Sequence, residues 1–221
     1  MFNARVWKLL ADSLWPLLSK GLTVTIPLTL ASFTLGLALA MVAAFVQVAK
    51  VPVLRRLARF YIWVFRGTPM IVQLFIVFYG LPGLGVYVNS IPAAIIVFSL
   101  NTGAYAAETV RAAIESVPRG QFEAGYMVGM SYMQIMRRIV VPQALRTAFP
   151  PLFNTLIGLV KDTSLAANIT VVEMFRTAQL IAARTYDVFA MYCEVAVLYL
   201  FFCTFLTWVQ HVCERKLEAG R

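Results

Sequence analysis

The sequence predicts an all-α membrane protein with five transmembrane helices, its N-terminus outside and its C-terminus in the cytoplasm. Three observations carry this. Of 221 residues, 61% are hydrophobic and 13% charged, where a soluble domain has about half apolar and a quarter charged, and the mean hydropathy is +0.78. The apolar residues fall in long uncharged runs, and a helix needs about 20 such residues to cross a hydrocarbon core of roughly 30 Å. The basic residues flank these runs. A net charge of +9 is therefore read as positive cytoplasmic loops rather than as affinity for nucleic acid.

Residues 1–21 contain an amphipathic segment, with Val6, Leu9, Leu10, Leu14, Leu17 and Leu18 on one side and Trp7 and Trp15 alongside. That pattern predicts a helix lying in the membrane interface. A membrane domain is expected over 22–211 and a polar cytoplasmic tail over 212–221. No charge occurs between Lys20 and Lys50, so the first span is placed at about 22–47. Lys50, Arg55, Arg56 and Arg59 follow without an acid and mark a cytoplasmic segment. The second span lies within about 60–80 and contains Phe65-Arg66-Gly67-Thr68-Pro69. An arginine at mid-bilayer costs about 2.5–3.5 kcal/mol, which places Arg66 at an end or facing the protein interior.

The third span, about 91–111, holds Asn101, Thr102 and Glu108 among small residues that permit close helix approach. Glu108 is either a functional carboxylate or the partner of Arg111 at i+3. The fourth span, about 140–160, carries Pro150, Pro151 and Asn154, and freed backbone groups there require enclosure by protein or water. Residues 161–187 are half polar and read as external, able to form short helices at the outer mouth. The fifth span is about 188–211. Cys193, Cys203 and Cys213 read as small buried hydrophobes, with no spacing that implies a disulfide or a metal site.

The longest polar stretch, about 116–139, reads as two short helices. Ser116 and Pro118 start the first. Gly129 ends it through a left-handed residue. Ser131 and Gln134 fit a capping box that opens the second, which runs into the fourth span. Met127, Met130, Met133 and Met136 recur every third residue and suggest one adaptable apolar stripe. Two helices fixed to spans three and four would transmit force applied to them.

Glu123-Ala124-Gly125-x3-Gly129-x9-Ile139-x-Val141-Pro142 resembles the EAA-x3-G-x9-I-x-L-P loop of ATP-binding cassette importer permeases, with Gly125 and Val141 as departures. FRGTP (65–69), LNTGAYAAETVRAAI (100–114), VPQALRTAFPPLFN (141–154) and LVKDTSLAA (159–167) resemble the polar-amino-acid branch of that family. Within the branch, GLPGLG (80–85) and FRTAQLIAARTYDVFAMY (175–192) most resemble cystine-importer permeases.

The resemblance implies a type I importer permease fold in the bacterial cytoplasmic membrane, surrounded by lipid. It implies pairing with a second permease subunit, identical or homologous, two cytoplasmic ATPase subunits and an extracytoplasmic binding protein. Glu123, Ala124, Gly129 and Met130 would contact the ATPase. Asn101, Thr102, Asp162, Thr163 and Ser164, with Arg66 and Gln73 in support, would bind the amino acid. Asn101 and Ser164 would donate to its carboxylate, and Asp162 would accept from its ammonium group. The chain carries no Gly-x4-Gly-Lys-Ser/Thr phosphate loop, so no catalysis and no cofactor are expected in it; ATP and magnesium belong to the partner. The main alternative is an ion-coupled secondary transporter with Glu108 and Glu194 as proton sites, although no internal repeat supports it. An intramembrane protease lacks its nucleophile motif, and a scaffold lacks any positive signal.

Overall fold

The computed structural model describes residues 4–48 and 52–219, and among these it contains helices and no strands. Lys50 of the basic cluster lies outside the described residues. Ten α-helices follow one another: α1 (Ala4–Lys20), α2 (Ile26–Val48), α3 (Pro52–Gly67), α4 (Met70–Phe75), α5 (Ser90–Glu115), α6 (Arg119–Met127), α7 (Tyr132–Ile135), α8 (Val141–Asp162), α9 (Met174–Thr185) and α10 (Val188–Ala219). Three stretches, Ala4–Val48, Ser90–Glu115 and Val188–Leu217, are single helices long and apolar enough to cross a membrane. Two bent pairs, Pro52–Gly67 with Met70–Leu84 and Tyr132–Ile169 with Met174–Thr185, raise the number to as many as five.

Three wide π-helical turns, at Gly21–Thr25, Ile76–Gly80 and Met136–Val140, each end two residues before a proline: Pro27, Pro82 and Pro142. A proline ring collides with the carbonyl four residues back and offers no N–H. Widening the preceding turn to i→i−5 bonds, as Ile26 N–H makes to Gly21 and Val141 N–H to Met136, absorbs the conflict without ending the helix. As a result α1 passes straight into α2. The boundary expected at residue 21 falls inside a continuous helix, and Val6, Ser13 and Leu17 are buried.

The second span departs from expectation. Arg55, Arg56 and Arg59 of the basic cluster lie in the first half of α3, and the helix stops at Gly67. Thr68 precedes Pro69, which pushes it out of the helical region. Pro69 itself is extended, at φ −63° and ψ 136°. The chain then leaves at 104° as α4.

α5 is the hub. It packs along α2 through Gly36, Ala40, Ala44 and Gly103, small residues that let two apolar helices approach closely. A Cβ on Gly103 would stand 3.0 Å from the Gly36 carbonyl oxygen and 2.7 Å from the Tyr61 hydroxyl. That hydroxyl donates to the Leu100 carbonyl at 2.6 Å and fastens α3 to α5.

The far boundaries also shift. Lys161 and Asp162, expected in an external segment, form the last turn of α8. The expected tail over 212–221 continues α10 to Ala219. Short helices do occupy 163–169 and 174–185. Glu173 caps the second of these, accepting from Phe175 N–H at 2.8 Å, Arg176 N–H at 2.6 Å and the Tyr199 hydroxyl at 2.9 Å. The cysteines are not buried: Cys193 is exposed and the others are half-buried.

Candidate functional site

The two-helix loop is built by its capping residues. Gly129 adopts φ +78°, its N–H donates to the Tyr126 carbonyl, and Met130 N–H donates to the Gly125 carbonyl at 3.0 Å. This is a Schellman ending, which a glycine in the left-handed region permits. Ser131 and Gln134 exchange side-chain and backbone hydrogen bonds at 2.8 and 3.3 Å, completing the capping box. Gly125 is required by contact: a Cβ there would stand 2.6 Å from Ile135 Cγ1. Ile135 and Met136 are buried with Val110, Ala113 and Ile114 of α5 and with Ala144 and Ala148 of α8. The loop is therefore rigidly joined to both long helices.

The methionines do not form one stripe. Met127 is 87% exposed and Met133 is also exposed, whereas Met136 is buried and Met130 packs on the same core. The left-handed residue between 127 and 130 resets the helical phase. Glu123 and Ala124 are exposed, as are Tyr126, Val128 and Tyr132, so the outward face is more aromatic than methionine spacing suggests.

A cavity of about 360 Å³ opens where the α3–α4 break meets α5 and α8, within the ~300–1,000 Å³ of small-molecule sites. Its walls are Thr68, Pro69 and Met70 from the break, Asn101, Thr102 and Tyr105 from α5, and Thr155, Gly158, Leu159 and Asp162 from α8. Irregular backbone at membrane depth is tolerated where it lines such a cavity and its polar groups are paired. Gln73 supplies the pairing: its amide nitrogen, with two N–H groups, lies within reach of the Phe65 carbonyl at 3.0 Å, the Thr68 carbonyl at 3.1 Å and the Thr68 hydroxyl at 2.8 Å. Asn101 donates to the Phe65 carbonyl and to Gln73 Oε1, both at 3.2 Å.

Asn101, Thr102 and Asp162 thus face one cavity, and Gln73 supports it from behind. Thr163 and Ser164 are placed elsewhere. Thr163 is buried, donating to the Val160 carbonyl. Ser164 donates to the Lys161 carbonyl and lines a separate groove with Tyr199. Neither expected carboxylate donor is free for that task in the cavity, because the Asn101 amide holds the break and Ser164 faces away. Tyr105, Thr155 and Gly158 line the cavity but are not among the residues the motifs single out. Helical spacing finds them: 101, 102 and 105 share a face of α5, and 155, 158, 159 and 162 form an i, i+3, i+4, i+7 stripe on α8.

Glu108 is the partner of Arg111, which reaches its two oxygens at 3.3 and 2.7 Å and Glu115 at 2.6 Å. Gln47 of α2 donates to it at 3.4 Å. Glu194 lies in a different seam, 2.6 Å from the Ser13 hydroxyl of α1. The two carboxylates share no cavity among those described.

Residues 33–219 match the family described as the binding-protein-dependent transport system inner membrane component. The chain is 49% identical to the L-cystine transport system permease protein TcyB of Bacillus subtilis over 96% of its own length and 91% of that protein. It is 38% identical to a probable amino-acid ABC transporter permease protein, YckA, of the same organism, over 98% of each chain. A solved amino acid ABC transporter, described with histidines, superposes with a TM-score of 0.87 at 31% identity, covering 91% of this chain and 94% of that one. The match over most of its length and the 49% identity across nearly both whole chains show the family: the chain belongs to the binding-protein-dependent transport system inner membrane components.

Proposed function

We propose that the chain is the membrane-spanning subunit of an ATP-driven importer for a polar amino acid, L-cystine being the candidate substrate. The observation that carries this is the 49% identity to a cystine permease across nearly both whole chains. The substrate would occupy the cavity between the α3–α4 break, α5 and α8, its ammonium group on Asp162, the one carboxylate among the lining residues. The exposed face of the loop at about 116–139, centred on Glu123, Ala124 and Met127, would seat the ATPase; buried Ile135 and Met136 would pass its movement to α5 and α8. Two ATPase subunits, a second permease subunit of the same or a homologous sequence and an extracytoplasmic binding protein complete the machine in the bacterial cytoplasmic membrane. ATP and magnesium would be bound by the ATPase and not by this chain.

The separate packing of Glu108 and Glu194 disfavours ion coupling. Proteoliposomes holding the chain with its ATPase and binding protein are expected to take up labelled L-cystine only when ATP is enclosed, and a protonophore is expected to leave uptake unchanged. Uptake that persists without ATP and collapses with the protonophore would establish the ion-coupled alternative.

A further inference from the structure

An amino acid brings a carboxylate into the cavity, and the lining offers it the neutral hydroxyls of Thr102 and Tyr105 but no cation. The Asn101 amide is committed to the Phe65 carbonyl and Gln73. The Thr68 and Thr155 hydroxyls donate to the Val64 and Pro151 carbonyls. Asp162 carries the wrong sign. A cation stands immediately behind the wall: the Arg66 guanidinium lies over the ring of Tyr105, 5.2 Å from its centroid, and Tyr105 lines the cavity. Arg66 is weakly held. Its approach to Glu108 is 3.8 Å, beyond hydrogen-bond distance, with the two side chains 43% and 25% exposed. Glu108 does not depend on it, because Arg111 already engages both of its oxygens.

We propose that Arg66 is the carboxylate receptor of this site, shared between Glu108 at rest and the substrate carboxylate when the cavity is occupied. This rests on the substrate reading above and names its missing half: Asp162 takes the ammonium group and Arg66 the carboxylate, making the site selective for zwitterions over amines. The exchange also carries information. Glu108, Arg111 and Glu115 form one ionic chain along α5 that ends beside the two-helix loop. When Arg66 leaves Glu108, that chain loses its contact with α3, so occupancy of the cavity is registered on the helix that enters the loop. Glu108 is a positioning residue here and touches no substrate.

The test is equilibrium binding to the full-length chain in nanodiscs without binding protein, using labelled L-cystine and cystamine, its doubly decarboxylated analogue. Wild type is expected to prefer cystine. Arg66→Gln is expected to weaken cystine by about 10- to 100-fold, the size of a lost charge-assisted hydrogen bond, and to leave cystamine unchanged. Glu108→Gln, which keeps an acceptor for Arg111, is expected to tighten cystine by up to about fivefold, since an exposed pair competes only weakly. A merely structural Glu108 would lower affinity instead. Equal weakening of both ligands in Arg66→Gln, unchanged cystine binding in that variant, or weaker cystine binding in Glu108→Gln overturns the proposal. Cystine binding that Asp162→Asn leaves intact, or no saturable binding by wild type, overturns the substrate reading itself.

Discussion

Asn101→Asp is expected to cut uptake by about 100-fold although it changes no volume. The Asn101 amide donates to the Phe65 carbonyl and to Gln73 Oε1, and both Asn101 and Gln73 are buried. A carboxylate at 101 can donate to neither acceptor and sets negative charge against both. Leaving a buried polar group unsatisfied costs roughly 1–3 kcal/mol, and here one acceptor is left with Gln73 alone while the other is orphaned. At about 1.4 kcal/mol per tenfold, a break that no longer holds its shape would reduce uptake by about 100-fold. Asn101→Ala is expected to be milder, because it removes the donor without adding charge. Initial rates of L-cystine uptake in proteoliposomes, with the melting temperature as a folding control, decide the matter. Wild-type uptake by Asn101→Asp would remove the helix break from the mechanism.

The second large effect is expected at Gly125. By propensity alone, Gly125→Ala should help α6 by up to about 1 kcal/mol. The packing predicts the reverse: the new methyl would sit 2.6 Å from Ile135 Cγ1, in the buried contact that ties the loop to α5 and α8. Overpacking of this kind costs about 1–3 kcal/mol and displaces α6 from α7. Stimulation of the partner ATPase by substrate is therefore expected to fall at least about tenfold. Gly125→Ala combined with Ile135→Ala is expected to cost less than the sum of the two single changes, because the added methyl fills part of the space the isoleucine vacates, although loss of buried Ile135 itself weakens the tie to α5 and α8. A double-mutant cycle on stability and on stimulation measures that coupling; additive effects would mean the contact carries nothing.

These two sites differ in how far they could be read from sequence. The loop was legible because its signals are local. Gly129, then Ser131 and Gln134, specify a left-handed ending and a capping box within six residues, and both form. The methionine spacing misled for the same local reason, since a period of three has no meaning across a residue that turns the helix. The α3–α4 break was half legible: Pro69 forbids a helical Thr68, but the partner that makes the break tolerable, Asn101, is 28 residues beyond Gln73. The 155–162 stripe on α8 was present in the sequence and was cut by a span boundary placed at 160, where polarity rises but the helix does not end. The motif groups Thr163 and Ser164 with Asp162. In the 3₁₀ turn that begins at Thr163, successive side chains point about 120° apart, so adjacency in sequence does not bring them to the same wall.

Coupling through the loop is tested most directly by one rate. In proteoliposomes containing the chain, its ATPase and its binding protein, L-cystine-stimulated ATP hydrolysis is measured for wild type and for Glu123→Ala. Glu123 is exposed on α6, so its loss leaves the core of the chain untouched. Truncating a charge that a partner desolvates costs about 2 kcal/mol or more, and stimulation is expected to fall by at least about tenfold. Stimulation equal to wild type would contradict the role of this loop as the seat of the motor.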